Sequence, residues 1–132
     1  MTYAKNTKVT PASSRAEIER DLAKYGADAF GYASDPPRAA IAFRLNGTHY
    51  RISIDVPDIP TRAAEKWRAL AMVIKAKLVG VSAGVEAVEN AFLADMVMPN
   101  GETVGEWVGP QMARAYKIGA MPDRLMIEGP RS

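Results

Sequence analysis

Asn46-Gly47 lies between two runs in which apolar residues alternate with small, polar or charged ones, and this leaves the middle of the chain few folds to choose from. Ile41, Phe43 and Leu45 precede the pair; Tyr50, Ile52, Ile54 and Val56 follow it, interleaved with His49, Arg51, Ser53 and Asp55. Both positions of a tight hairpin turn need positive φ, which Asn and Gly accept more readily than other residues, so the dipeptide between period-2 runs specifies a β-hairpin. A two-residue loop pairs Leu45 with Thr48. Counting outward sets Phe43 opposite Tyr50, Ile41 opposite Ile52 and Arg38 opposite Asp55, so the apolar side chains share one face.

A third strand is expected over residues 29–33, where Phe30 and Tyr32 alternate with small residues before Asp35-Pro36-Pro37 breaks the chain. The three strands make an antiparallel meander. Ser14 and Glu17 form a candidate capping box for a helix over residues 15–25, with Ile18, Leu22 and Tyr25 on one stripe and Gly26 as its stop. Pro57 and Pro60 end the sheet, and Thr61 is the expected cap of a long helix over residues 62–81, in which Trp67, Leu70, Ala71, Ile74, Leu78 and Val81 recur at helical spacing. After Gly84, a second amphipathic run places Val85, Val88, Phe92 and Met96 on one side. Pro99-Asn100-Gly101 reads as a turn, Thr103 and Glu106 as a second capping box, and residues 104–118 as a helix that Pro110 should kink or restart and Gly119 should close. The expected fold is α+β, a three-stranded antiparallel meander packed on a long central helix, with one N-terminal and two C-terminal helices. A flexible basic arm over residues 1–13 and a tail over residues 120–132 would flank one domain over residues 14–119.

The chain has 132 residues, enough for one core and not two. It contains no cysteine, which removes disulfides, zinc-thiolate sites and thiol nucleophiles together. No stretch approaches the roughly 20 apolar residues of a membrane helix, and nothing near Met1 reads as a signal peptide, so a cytoplasmic protein without membrane contact is expected. His49 is the only histidine, on the polar face of a strand with no partner set for a triad or a metal. Glycine-rich phosphate loops are missing from the sequence. Glu102 and Glu106 are the remaining carboxylate pair; Glu106 as a cap and Glu102 as a solvated acid accounts for both. These residues point away from an enzyme, and no cofactor or metal is expected.

Charge is distributed unevenly. Residues 1–77 hold 13 Lys and Arg against 8 Asp and Glu, whereas residues 78–113 hold no Lys or Arg and 5 acids. Arg38, Arg44 and Arg51 fall on the outward strand face, and Arg68, Lys75 and Lys77 on the long helix. Together they are the candidate nucleic-acid-binding residues, able to track the phosphates of single-stranded or duplex DNA. Phe30, Tyr32, Phe43 and Tyr50 share the alternation of the core aliphatics and are assigned to the core. A different partner is suggested by Ala29, Gly31, Ala33, Ala40 and Ala42, which make one sheet face nearly flat: another protein, or a second copy joined through the acidic and basic segments.

Several segments together resemble a group of small proteins of tailed phages and prophages to which no activity is assigned. They are Thr2-Tyr3-Ala4-Lys5; Ser14 to Gly26 with Arg15-Ala16-Glu17-Ile18-Glu19; Trp67-Arg68-Ala69-Leu70 with Ile74-Lys75-Ala76-Lys77-Leu78; and Pro99-Asn100-Gly101 with Val104-Gly105-Glu106-Trp107. The resemblance implies a phage or mobile-element setting in a bacterial host, and carries no catalytic or binding residues with it. Three strands followed by a long basic helix also resemble the core of single-strand annealing proteins, which is a likeness of topology alone. The functional expectation is a non-enzymatic accessory protein that binds nucleic acid in replication or recombination. Its alternative is a protein-binding module that inhibits a host defence or replication complex, or a small-ligand sponge.

Overall fold

The computed structural model of the chain describes residues 10–122. The hairpin forms as its alternation requires. Strands β2 (Arg38–Leu45) and β3 (Thr48–Asp55) pair antiparallel with Phe43 against Tyr50, Ile41 against Ile52 and Arg38 against Asp55. Asn46 and Gly47 carry φ of 51° and 79°, the left-handed values such a turn demands. Strand β1 (Ala29–Asp35) completes a meander of order β1-β2-β3. It runs past the expected stretch because Ser34 and Asp35 continue the ladder to Ala39 and Arg38, leaving only Pro36 and Pro37 in the turn.

Two helices, α1 (Pro11–Lys24) and α2 (Pro60–Ser82), cover the apolar face. Ile18 and Leu22 of α1 join Ile41, Phe43, Leu45 and Tyr50 of the sheet and Trp67, Leu70, Ala71, Ile74 and Leu78 of α2 in one core. The start of α1 differs from the expected one. Thr10, not Ser14, is the cap: its hydroxyl accepts from the Ser13 amide at 3.0 Å, and the Ser13 hydroxyl accepts from the Thr10 amide at 2.9 Å. Pro11 fits the first helical position because that residue needs no amide donor. Ser14 lies one turn into the helix and is buried, so residues 10–13 belong to the domain; residues 1–9 of the expected arm, like 123–132 of the tail, lie outside the described residues. Thr61 does not cap α2 either. Ile59 occupies that position without a side-chain bond, and Pro60 opens the helix.

Beyond α2 the chain departs most from its pattern. Gly84, with φ of 79°, ends the helix region, and the run over residues 85–96 becomes one helical turn, α3 (Val88–Ala91), followed by a 3₁₀ turn, Leu93–Asp95. The reason is Phe92. Its ring is fully buried, 5.5 Å from Phe43 and 5.7 Å from Tyr50 between centroids, and the chain then turns extended so that Met96 bridges to Tyr50. The capping box at Thr103 and Glu106 opens α4 (Val104–Ile118), which continues through the exposed Pro110 and ends at Gly119 with φ of 72°. No helix among the described residues is long and apolar enough to cross a membrane.

Candidate functional site

The sheet separates the six candidate cations into two groups on opposite sides. Arg38, Arg44 and Arg51 lie on the outer face, whose rows across the strands are Asp35, Arg38 and Asp55; Ala33, Ala40 and Ser53; Gly31, Ala42 and Arg51; Ala29, Arg44 and His49. Each arginine already has an acid. Arg38 Nε stands 3.2 Å from Asp55 Oδ1, and Arg44 Nε donates to Asp28 Oδ1 at 2.7 Å, a bond that holds the Asp28 carboxyl below its usual range. Arg51 donates to Glu106 Oε1 at 2.9 Å and to the Gly101 carbonyl at 3.0 Å, which fixes the start of α4 against the edge of β3.

The helix cations sit on the other side of the sheet. Lys75 Nζ lies 3.8 Å from both Glu17 and Asp21 of α1. Lys77 Nζ donates to the Ala91 carbonyl at 2.6 Å, rides over the Phe92 ring, and partly offsets the burial that pushes the Asp95 carboxyl up. The acidic segment thus meets the basic one within a single copy, through Arg51 and Lys77. Of the six, Arg68 alone is exposed without a partner among the described residues; Arg62 and Lys66 share that condition on the same half of α2. Lys5, Lys8, Arg124, Arg131, Asp123 and Glu128 lie outside the described residues, so the described fold carries 13 Lys and Arg against 13 Asp and Glu.

The carboxylate pair is a structural device. Glu106 Oε1 accepts from the Thr103 amide at 2.8 Å while the Thr103 hydroxyl accepts from the Glu106 amide, and Asn100 bonds to the Glu102 amide through its side chain. The Thr103 amide is the main cause holding the Glu106 carboxyl below its ordinary range; burial opposes it and the Arg51 guanidinium reinforces it. A carboxyl whose folded value is depressed stabilises the fold in full above its unfolded value and loses that contribution as pH falls through the folded value. The stability difference between wild type and Glu106→Gln, followed by urea unfolding, should therefore be largest at neutral pH and shrink in acid; an equal difference throughout would detach Glu106 from this role. His49 is exposed, and no metal-ligand cluster occurs among the described residues.

The two edges of the sheet are treated differently. Along β3, the His49 carbonyl accepts from the Val97 amide at 2.8 Å and Met96 bridges to Tyr50, so the C-terminal segment covers the first half of that edge, while the outward backbone groups of Ser53 and Asp55 pair with nothing among the described residues. The opposite edge is β1. The Arg44 carbonyl accepts from Asp28, and the Pro37 carbonyl accepts from Val56, which fixes the phase of the ladder: even-numbered residues of β2 bond toward β1 and odd-numbered ones toward β3. Ala29, Gly31, Ala33 and Asp35 therefore bond to β2, while the backbone groups of Phe30, Tyr32 and Ser34 point away from it. Nothing among the described residues pairs with them. β1 has no proline, lysine or bulge, the devices that blunt an edge. Beside it, Glu19, Ala23, Ala27, Asp28, Ala29 and Phe30 line an open hollow of about 260 Å³.

No family model, curated protein or solved structure matches the chain. The site therefore has to be read from its own chemistry. Its components are an unpaired strand edge, a flat outer face of small residues that stays exposed from Ala29 to Ala33, and a neighbouring hollow. The sequence carried the small residues but not the open edge. The one available signal was negative, since no fourth alternating run exists to pair with residues 29–35.

Proposed function

We propose that the protein is a non-enzymatic binding module that captures an extended segment of a partner protein by adding it as a fourth strand beside β1. The observation that supports this most is the unpaired backbone of Phe30, Tyr32 and Ser34 on a strand without edge protection. Strand addition draws affinity from main-chain hydrogen bonds and specificity from pockets that receive alternate side chains. The hollow at Phe30 and the ring of Tyr32, held by Arg15 at 4.2 Å from its centroid, lie where such side chains would fall. In the phage or mobile-element setting that the resemblance implies, a partner in a host defence or replication complex is the natural target.

Hydrogen exchange tests the edge directly. In the free protein the amides of Phe30, Tyr32 and Ser34 should exchange fast while those of Gly31 and Ala33 are protected, and the fast set should gain protection on binding peptides selected from a displayed library. Ser34→Pro removes an outward amide without touching the β2 ladder, and Gly31→Lys places a charge beside the edge in open space. Both variants should fold and lose the peptide. Protection of all three amides in the free protein, or binding indifferent to both substitutions, would sink the reading.

Nucleic-acid binding is the second reading, and what favours it is that Arg62, Lys66 and Arg68, on both flanks of the N-terminal half of α2, are exposed with no acid partner among the described residues. In this form the candidate surface moves from Arg38, Arg44, Arg51, Lys75 and Lys77 to the N-terminal half of α2. Titration of labelled single-stranded and duplex oligonucleotides at several salt concentrations separates the two: steep salt dependence abolished by Lys66→Glu with Arg68→Glu favours DNA.

A further inference from the structure

α2 is apolar on two opposite sides. Its inner face fills the core through Trp67, Leu70, Ala71, Ile74 and Leu78. Half a turn away, Ala69, Met72, Val73, Ala76, Val79 and Gly80 make a second apolar face, on which Met72, Val73 and Val79 are 61%, 49% and 53% exposed. A helix that is apolar all round is ordinarily buried all round, and no element among the described residues covers this side. The spacing of Ala69, Met72, Ala76, Val79 and Ala83 alternates three and four residues, the seam by which one helix lies along another, and its alanines let two backbones approach closely.

Charge selects the occupant. Lys66 precedes Val73 and Gly80 at seven-residue intervals on one flank of this face. Glu86 folds back over Gly80, its Oε2 standing 3.5 Å from where a Cβ at Gly80 would be. Neither Lys66 nor Glu86 has an ion-pair partner among the described residues. We propose that this face is a homodimer interface in which α2 of one copy lies antiparallel on α2 of another, about a two-fold axis between Val73 and Ala76. In such an isologous pair each flank faces its own copy reversed, so Lys66 meets Glu86 of the second copy, and the contact occurs twice. A parallel pair would instead turn this flank toward the opposite one and set Lys66 against the flank of the second copy that carries Arg68 and Lys75. On the other flank Lys75 faces its own copy, and Glu17 and Asp21, each 3.8 Å from its Nζ, offset that repulsion. The interface lies apart from the β1 edge and does not depend on it.

Analytical ultracentrifugation of the full chain decides the matter, with circular dichroism and thermal unfolding to show that each variant folds. Wild type should sediment as a dimer with a Kd of about 1 µM or tighter. Ala76→Glu, at an exposed position, brings two carboxylates together at the axis and should weaken the dimer at least about a hundredfold. Lys66→Glu should weaken it too, and Lys66→Glu combined with Glu86→Lys should restore it. A wild type that stays monomeric at about 100 µM overturns the proposal. So does a dimer that tolerates Ala76→Glu, a charge swap that fails to restore association, or a dimer dissolved by Ser34→Pro, which would place the contact at the β1 edge.

Discussion

Trp67→Ala should lower the unfolding free energy by about 3–5 kcal/mol, close to the whole stability of a small domain. Trp67 is 2% exposed near the start of α2, edge-on to Tyr32 with ring centroids 5.5 Å apart, and the Arg15 guanidinium lies 5.1 Å from its own ring. It therefore joins α1, β1 and α2 at one end of the core. Replacing it with alanine leaves a cavity bounded by three elements that are themselves packed on others, so the surrounding chain has little freedom to close in. Chemical unfolding followed by circular dichroism measures the loss. A Trp67→Ala protein with wild-type stability would mean that this end of the core is not packed as described. The variant should also disorder Tyr32, so a weakening of any strand-addition complex would accompany the loss of stability.

Phe92→Ala should have an effect of similar size, about 3–5 kcal/mol, but a different distribution in the molecule. Phe92 is the only large side chain of the segment between α2 and α4 that is fully buried, and it touches Phe43, Tyr50 and the Lys77 ammonium. The rest of that segment is held by Ala91 in the core, by Val88 and Met96 packed at its margin, and by polar contacts: the Lys77 bond to the Ala91 carbonyl, the Val97 bond to the His49 carbonyl, and Arg51 on Glu106. Without the ring, these weaker contacts must hold the 3₁₀ turn and α4 to the sheet. Amide exchange should rise across residues 88–118 well before it rises in the hairpin, because the segment opens as a unit. Uniform loss of protection across hairpin and α4 together would show instead that the C-terminal segment and the sheet unfold as one.

These two residues differ in how far the sequence exposed their roles. Trp67 belongs to a stripe that repeats over about four turns of helix, so its burial followed from periodicity alone. The sequence pattern places Phe92 on one side of an amphipathic helix with Val85, Val88 and Met96, but that helix shortens to one turn, and burial of the ring depends on a hydrophobic recess between Phe43 and Tyr50 that exists only once the hairpin is formed. The same distinction separates the two capping boxes. Thr103 and Glu106 precede a helix with no earlier competing start, whereas Ser14 and Glu17 compete with Thr10, Pro11 and Ser13 four residues upstream, and proline at the first helical position favours the earlier start.

The candidate cations show the limit of reading charge along a chain. Arg38 could be paired with Asp55 from the hairpin register alone, because that contact is set by counting from Asn46-Gly47. Arg44 with Asp28, Arg51 with Glu106 and Lys75 with Glu17 and Asp21 join residues brought together by the stacking of separate elements. A basic surface inferred from composition became, on folding, largely a set of neutralised pairs, and of the six candidate cations Arg68 alone kept its charge exposed without a partner among the described residues.

What the sequence determined by itself was local: the hairpin and its register, the long helix with its buried stripe, the turn at Pro99-Asn100-Gly101 and the closing of α4 at Gly119. Each follows from φ preferences, side-chain periodicity or a cap, which act between residues a few positions apart. Tertiary structure alone decided which strand edge stayed open, which arginines kept their charge free, and that α2 presents a second apolar face to the outside. Those are properties of what fails to be covered. Coverage depends on where distant elements come to rest, and no interaction between near neighbours along the chain encodes that.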